Sequence, residues 1–246
     1  MTADKKVALI TVTKKGVMSG ERLALKIGHG TLFCPQKFGY LLSAKKPESR
    51  DICLYENALN THIERIFKAF DQLIFFLALG AVVRLVAPHL RCKYQDPGVL
   101  VIDQETRFVI PVLSGHVGYA NAYAEKIAAL IDAQAILTTA SDASQTFSVD
   151  ILGREQGWQV EAPNINLTRV AAMLVNAEPI ALIEEDECLY DWPYAWPENV
   201  TRFSQFTAVN LQRYQGILWV THAAIPPDIW QQLHERLVVY RPGFGN

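Results

Sequence analysis

The sequence predicts an α/β protein made of two α/β domains, the first built on a mainly parallel sheet flanked by helices. Three observations carry this. Apolar, β-branched runs of strand length alternate with segments of helical periodicity through the first half, and that alternation favours parallel strands joined by crossover helices. One pair of runs, Gly98 to Asp103 and Arg107 to Leu113, is separated only by Gln104-Glu105-Thr106 and reads as a hairpin within that sheet. After the polar stretch Glu161 to Asn166 the α/β rhythm resumes in a smaller second half.

Val7 to Thr13 is a continuous apolar run, stopped by Lys14-Lys15-Gly16 and followed by a helical pattern around Glu21 to Lys26. Gly30 to Cys34 forms a second strand and Pro47 to Asp51 a loop. Asn57 to Phe70 is a helix with Ile63, Ile66, Phe67 and Phe70 on one face. A strand over Gln72 to Leu79 follows, and Gly80 allows a tight turn into a short helix over Val82 to Val86, stopped near Pro88. Beyond the hairpin come a helix over Tyr119 to Ile131, a strand over Ala135 to Thr139, and a helix from near Phe147 that ends at Gly153 to Trp158. The domains are placed at residues 1–150 and 151–246. The second holds a helical stretch, Leu167 to Val175, and strands near Pro179 to Glu184, Val200 to Phe206, Gly216 to Thr221 and Leu237 to Tyr240. Its loop Asp191 to Pro197 gathers aromatic rings that stack on a planar ligand or pack on their own domain.

The 246 residues, half of them hydrophobic and a fifth charged, can bury a core without staples. A net charge of −2 and a pI near 6.3 give no reason to expect nucleic acid or an anionic membrane. The longest apolar stretch, Leu73 to Val83, is too short to span a bilayer and the N-terminus lacks the order of a signal peptide, so a cytoplasmic protein is expected. Cys34, Cys53, Cys92 and Cys188 form no CxxC pair and no Cys/His cluster, which leaves buried free thiols and no metal site. GxxxxGK[ST], GxGxxG and GxSxG are all missing, which argues against a P-loop, a dinucleotide site and a hydrolase nucleophile elbow.

In open α/β sheets ligands gather beyond the carboxyl ends of the strands. The loops Thr13 to Gly16, Leu79-Gly80, Ser114 to Gly118 and Thr138 to Asp142 are small or polar, and are expected on one edge around one pocket. In Ser114-Gly115-His116-Val117-Gly118 the glycines permit close backbone approach to a ligand and the following helix offers N–H groups to an anion. His116 suits a general acid or base there, or is a solvent-facing or capping histidine in a glycine turn. Arg84, Arg91, Lys93 and Asp96 form a carboxylate clamp or a solvated set of local ion pairs.

Taken together, Gly80 to Pro88, Lys93 to Pro97, Ser114 to Gly118 with Asn121, and Thr138 to Asp142, in that order over about sixty residues, resemble the CbiG family of cobalamin biosynthesis. The first domain resembles that family's N-terminal domain and the second its middle domain, while Arg241 to Asn246 resembles the junction to a third, C-terminal domain. The resemblance implies an enzyme of the anaerobic route to vitamin B12. Water opens the δ-lactone of a ring-contracted cobalt tetrapyrrole, cobalt-precorrin-5A, and acetaldehyde leaves to give cobalt-precorrin-5B.

Laid over the motifs, that chemistry makes His116 the base, backbone N–H groups near Gly115 and Gly118 the oxyanion donors, and Asp142 the orienting group or second proton acceptor, with Ser114 beside them. Arg84 and Lys93 are expected to bind the carboxylate arms, and Gly80, Asp96, Gly115, Gly118, Asn121, Thr139 and Ser141 to line the substrate site. No cofactor and no protein-bound metal are expected, because cobalt arrives inside the substrate. The expected partners are that tetrapyrrole and a separate C-terminal CbiG-like domain or another cobalamin-pathway enzyme. Tyr119 stands where the family motif usually continues with a second glycine, and either narrows the pocket mouth or adds a stacking ring. The alternatives are a non-catalytic tetrapyrrole carrier that needs a partner domain, and a binder of a phosphorylated metabolite at the Gly115/Gly118 helix start.

Overall fold

The structure, a computed structural model, describes residues 5–43, 50–139, 146–185 and 196–243. Contacts divide the chain into two compact units, Met1–Thr138 and Thr139–Asn246. The α/β architecture predicted for both is present.

The first unit runs β1 (Val7–Thr11), α1 (Lys14–Ile27), β2 (Gly30–Pro35), β3 (Arg50–Tyr55), α2 (Asn60–Ala69), β4 (Gln72–Phe76), α3 (Leu79–Val86), β5 (Gly98–Ile102), β6 (Phe108–Leu113), α4 (Ala120–Ile131) and β7 (Gln134–Ala135). Its sheet has the order β3-β2-β1-β4-β5-β6-β7. The strands from β3 to β5 are mutually parallel. β6 is antiparallel to β5, and β7 is parallel to β6.

Strands β1, β4 and β5 are buried along their whole length, which is why they read as unbroken apolar runs rather than alternating ones. Leu9, Phe76 and Ile102 face α1 and α4, meeting Leu23 and Tyr123, while Ile10, Phe75 and Val101 face α2 and α3, meeting Ile63 and Val82. Helix α1 is fixed at both ends. Thr13 accepts the Gly16 N–H through its side chain, and Gly28, at φ 82°, closes the last turn onto Ala24 O in a conformation that favours glycine.

Several sequence expectations need correction. Arg50 and Asp51, read as loop, open the edge strand β3, whose six residues all pair with β2. The strand from Gln72 ends at Phe76, and Gly80 makes no turn; it is the second residue of α3, which starts after an extended Ala78. The strand expected over Ala135 to Thr139 contracts to β7. From Phe147 onwards the described residues form turns and a short 3-10 stretch, Arg154–Gln156, instead of a helix, and left-handed Gly153 and Gly157 bound that stretch on either side.

The second unit holds β8 (Gln159–Glu161), α5 (Asn164–Val175), β9 (Ile180–Glu184), β10 (Val200–Phe203), β11 (Gly216–Val220), α6 (Pro227–Gln232) and β12 (Leu237–Arg241). The sheet order is β10-β9-β11-β12-β8, parallel except for β8. Phe206 stacks on Trp219 with ring centroids 4.3 Å apart over a core of Ile183, Ile217, Leu233 and Val239. Phe147 and Val149, placed in the first domain by the sequence, are buried in this unit: the Tyr240 hydroxyl donates to Val149 O at 2.6 Å. Residues 191–195 of the aromatic loop, and Cys188 before it, lie outside the described residues. Trp196 beside them packs edge-on against Phe147, 5.6 Å between centroids, under the Arg202 guanidinium.

Candidate functional site

The hairpin decides where the site loops go. β1, β4 and β5 are parallel, so their carboxyl ends share one edge of the first sheet; β6 runs the other way and delivers Ser114 to Gly118 to the opposite, amino edge. β7 is parallel to β6 and sends Thr138 the same way. The four loops expected around one pocket therefore separate into pairs. Thr13 to Gly16 and Leu79-Gly80 lie at the carboxyl edge, while Ser114 to Gly118 and Thr138 lie at the amino edge. Contacts agree with the topology: Gln72, the first residue of β4, donates through Nε2 to Gly118 O, and a Cβ on Gly118 would lie 3.1 Å from the N of Gly98, the first residue of β5.

At the carboxyl edge, the β1/β4 crevice is the usual ligand position in such a sheet. Here the hairpin turn bridges over it. Gln104 Nε2 donates to Thr13 Oγ1 at 2.9 Å, and Lys15 pairs with Glu105 at 2.5 Å. Asp103 holds the turn in shape by accepting the backbone N–H groups of Glu105, Arg107 and Phe108. Burial works to raise its pKa, but those donors and the Arg107 charge hold the carboxyl below the usual carboxylate range. Arg84, expected to clamp substrate, donates to Gly80 O of its own helix at 2.8 Å and is exposed. A second cleft on this edge, about 560 Å³, is bordered by Val12, Gln36, Lys37, Tyr55 and Leu59. Its Tyr55 hydroxyl donates to Thr11 O at 2.6 Å, and burial pushes that pKa up.

At the amino edge, a cleft of about 530 Å³ is lined by Lys5, Lys68, His89, Arg91, Tyr94 and Val117-Gly118. The loop after α3 forms one wall. Asp96 folds this loop by accepting the Arg91 N–H on both carboxylate oxygens, at 3.0 and 3.1 Å, while Cys92 O accepts the Gln95 and Asp96 N–H groups. Asp96, expected to bind substrate, thus has a structural duty within the loop. Lys93 lies 4.9 Å from the ring of Tyr94, and Arg91 takes the place on the cleft wall that was expected for it.

In the Ser114 to Gly118 loop the left-handed residues are Ser114 (φ 55°) and Tyr119 (φ 66°), not the glycines. The glycines are needed for closeness. A Cβ on Gly115 would sit 2.6 Å from Asn121 Oδ1, and one on Gly118 would sit 2.8 Å from Ser114 O. The space is therefore filled by the protein's own groups and not left for a ligand. The first two N–H groups of α4 are also used internally: Ala120 donates to Ser114 O at 3.2 Å and Asn121 to Gly115 O at 3.0 Å. Those two N–H groups are not open to an anion, in contrast to the sequence expectation.

His116 is half-buried, and its carbonyl accepts the Tyr119 N–H at 3.0 Å. Ser114 Oγ is buried with no hydrogen-bond partner among the described residues. Tyr119 lies under the Lys5 ammonium, 5.0 Å from ring centroid to nitrogen. Thr139 opens the second unit, and Ser141 and Asp142 lie outside the described residues. The sequence reading missed Gln72, Lys5, Lys68 and His89. The signal for Gln72 was present, since a glutamine opening the apolar run Gln72–Phe76 needs a hydrogen-bond partner when buried.

Among the described residues, no helix is long and apolar enough to cross a membrane, and no three His, Cys, Asp or Glu side chains are grouped to hold a metal. Fold and site together define a protein of two α/β units whose first sheet carries a cleft at its amino edge bordered by Lys, Arg, Glu and Asp side chains. Residues 61–142 match the family region described as cobalamin synthesis G N-terminal, and residues 147–242 match the cobalamin biosynthesis central region. The chain belongs to the CbiG family, in agreement with its four motifs. It is 32% identical over 239 residues to the cobalt-precorrin-5A hydrolase of Priestia megaterium, covering 96% of this chain and 62% of the relative. It is 29% identical over 176 residues to the cobalt-precorrin-5A hydrolase of Salmonella typhimurium, covering 72% and 47%. The chain thus spans less than two thirds of either relative. A solved structure from Sulfolobus solfataricus, described as a cobalamin biosynthesis protein G homologue, has a similar fold at a TM-score of 0.52 and 21% identity, covering 96% of this chain and 60% of that one.

Proposed function

We propose that this chain acts in the cytoplasm as a cobalt-precorrin-5A hydrolase, together with a C-terminal CbiG-like domain or another cobalamin-pathway enzyme. The observation that carries the proposal is its 32% identity, across 96% of its length, to a relative of that name. The substrate brings its own cobalt, and the reaction asks the protein for proton transfer and charge binding. Water adds to the lactone carbonyl and the ring C–O bond breaks, leaving a carboxylate and an alcohol. Loss of the alcohol proton then breaks the adjacent C–C bond: acetaldehyde departs, and the electron pair left on the macrocycle takes up a proton. His116, beside the cleft-lining Val117-Gly118, is the base that takes the proton from water. Ser114 and Asn121 hold the loop that carries it, through the Ala120 N–H on Ser114 O and the Asn121 N–H on Gly115 O.

The test is acetaldehyde release on adding the purified protein to cobalt-precorrin-5A, wild type beside His116→Ala. The proposal expects release by the wild type and a loss of about 100-fold or more in the variant. No release by either, with tetrapyrrole binding retained, contradicts it and favours the carrier.

A further inference from the structure

We infer that the amino-edge cleft is a carboxylate-binding site, with Arg91 and Lys5 as the groups that grip the acidic arms of a planar macrocycle. The inference rests on the tetrapyrrole reading above and supplies cations for it, since Arg84 and Lys93 do not line this cleft.

Lys5, Lys68 and Arg91 face an equal number of carboxylates around the cleft, and of these cations only Lys68 is in ion-pair contact with a carboxylate among the described residues. Three carboxylates line it, and each has an internal partner. Glu64 pairs with Lys68 at 2.6 Å, Asp71 accepts the Lys6 N–H at 2.9 Å, and Asp96 is held by the Arg91 N–H. The guanidinium of Arg91 is exposed and forms no ion pair among the described residues. Lys5 rests over the Tyr119 ring, a contact that leaves the ammonium's hydrogens available on its other side. The Tyr94 hydroxyl, on the same wall, is buried with no partner among the described residues. Arg91 therefore presents a planar two-pronged donor and Lys5 a point charge to an incoming anion.

The remaining lining shows what kind of anion fits. Phe67, Phe70, Pro88, Leu90 and Pro97 supply apolar surface between the cations. A small, fully hydrated anion gains nothing from that surface, whereas the edge of a flat ring system bearing carboxylate arms uses both parts. The surroundings also give Tyr119 a role. In place of a glycine it puts a ring beneath Lys5 and holds the ammonium at the cleft rim.

The test uses uroporphyrin III, a stable planar macrocycle with eight carboxylates, titrated by fluorescence quenching, so that binding is scored without turnover. Arg91→Met is expected to weaken binding at least tenfold and Lys5→Met severalfold, with Arg91→Lys in between. Arg84→Met at the opposite edge should stay within twofold of wild type. Hydroxocobalamin, whose arms are amides, should bind at least tenfold more weakly than uroporphyrin. Thermal unfolding of each variant checks folding, and Lys5→Met decides if Arg91→Met does not fold. The inference is overturned if the wild type shows no saturable binding, if the cleft variant that folds binds as the wild type does, if loss follows Arg84→Met instead, or if hydroxocobalamin binds equally well. A wild type that binds uroporphyrin but releases no acetaldehyde from cobalt-precorrin-5A leaves the cleft assignment standing and removes only the hydrolase reading.

Discussion

Gly118 shows how a glycine that looks like a ligand contact can serve packing. Its missing side chain leaves room for Ser114 and for the start of β5, and Gln72 donates to its carbonyl from the first position of β4. Gly118→Ala is therefore expected to destabilise the first unit by about 1–3 kcal/mol, because the added methyl meets backbone that cannot move aside. Gly115→Ala should cost less, since the obstructing atom belongs to a side chain, that of Asn121. Chemical denaturation of both variants measures the difference, and equal cost would contradict this account. Cysteine chemistry gives a second prediction. Burial, helped by the nearby Glu21 charge, pushes the Cys34 thiol up to about 11, whereas Cys92 is exposed, contrary to the expectation of buried thiols. Iodoacetamide at pH 8 should alkylate Cys92 in the folded protein and spare Cys34 until it unfolds, as read by mass spectrometry. At this scale two residues read as substrate contacts, Asp96 and Arg84, are engaged within their own loop and helix. Residue type and spacing do not reveal that a carboxylate such as Asp96 is already committed to the Arg91 N–H.

The β5–β6 hairpin is the element that organises the site. Its two runs and three-residue separation were visible in the sequence; the consequence was not, because reversing one strand also moves every later strand-end loop to the other edge. The turn itself depends on Asp103. Asp103→Ala removes a partly buried carboxylate that three backbone N–H groups donate to, and should lower stability by about 1–2 kcal/mol at pH 7. The folded pKa lies below the ordinary aspartate value, so this stabilisation is fully present above that value and is lost as pH falls through the folded one. Unfolding curves of wild type and variant should therefore converge on acidification below about pH 4, and a gap that stays constant would contradict the assignment. Other element-level differences have similarly local causes. β3 starts on the charged pair Arg50-Asp51 at a sheet edge, where no burial on both faces marks a strand, and β8 is a three-residue edge strand with exposed ends.

Across the whole molecule, composition and alternation sufficed to read two α/β units, since fully buried parallel strands declare themselves as apolar runs. Four spaced motifs sufficed for the family. What neither supplied was which edge of the first sheet each motif occupies, because that depends on strand direction. The central claim is that the site belongs to the amino edge of that sheet. The measurement that tests it most directly is a crystal structure of the protein with uroporphyrin III bound. The account predicts ring density in the cleft beside Arg91 and Val117-Gly118, with a carboxylate on the Arg91 guanidinium. Density at the carboxyl edge, beside Gly80 and Arg84, would contradict it.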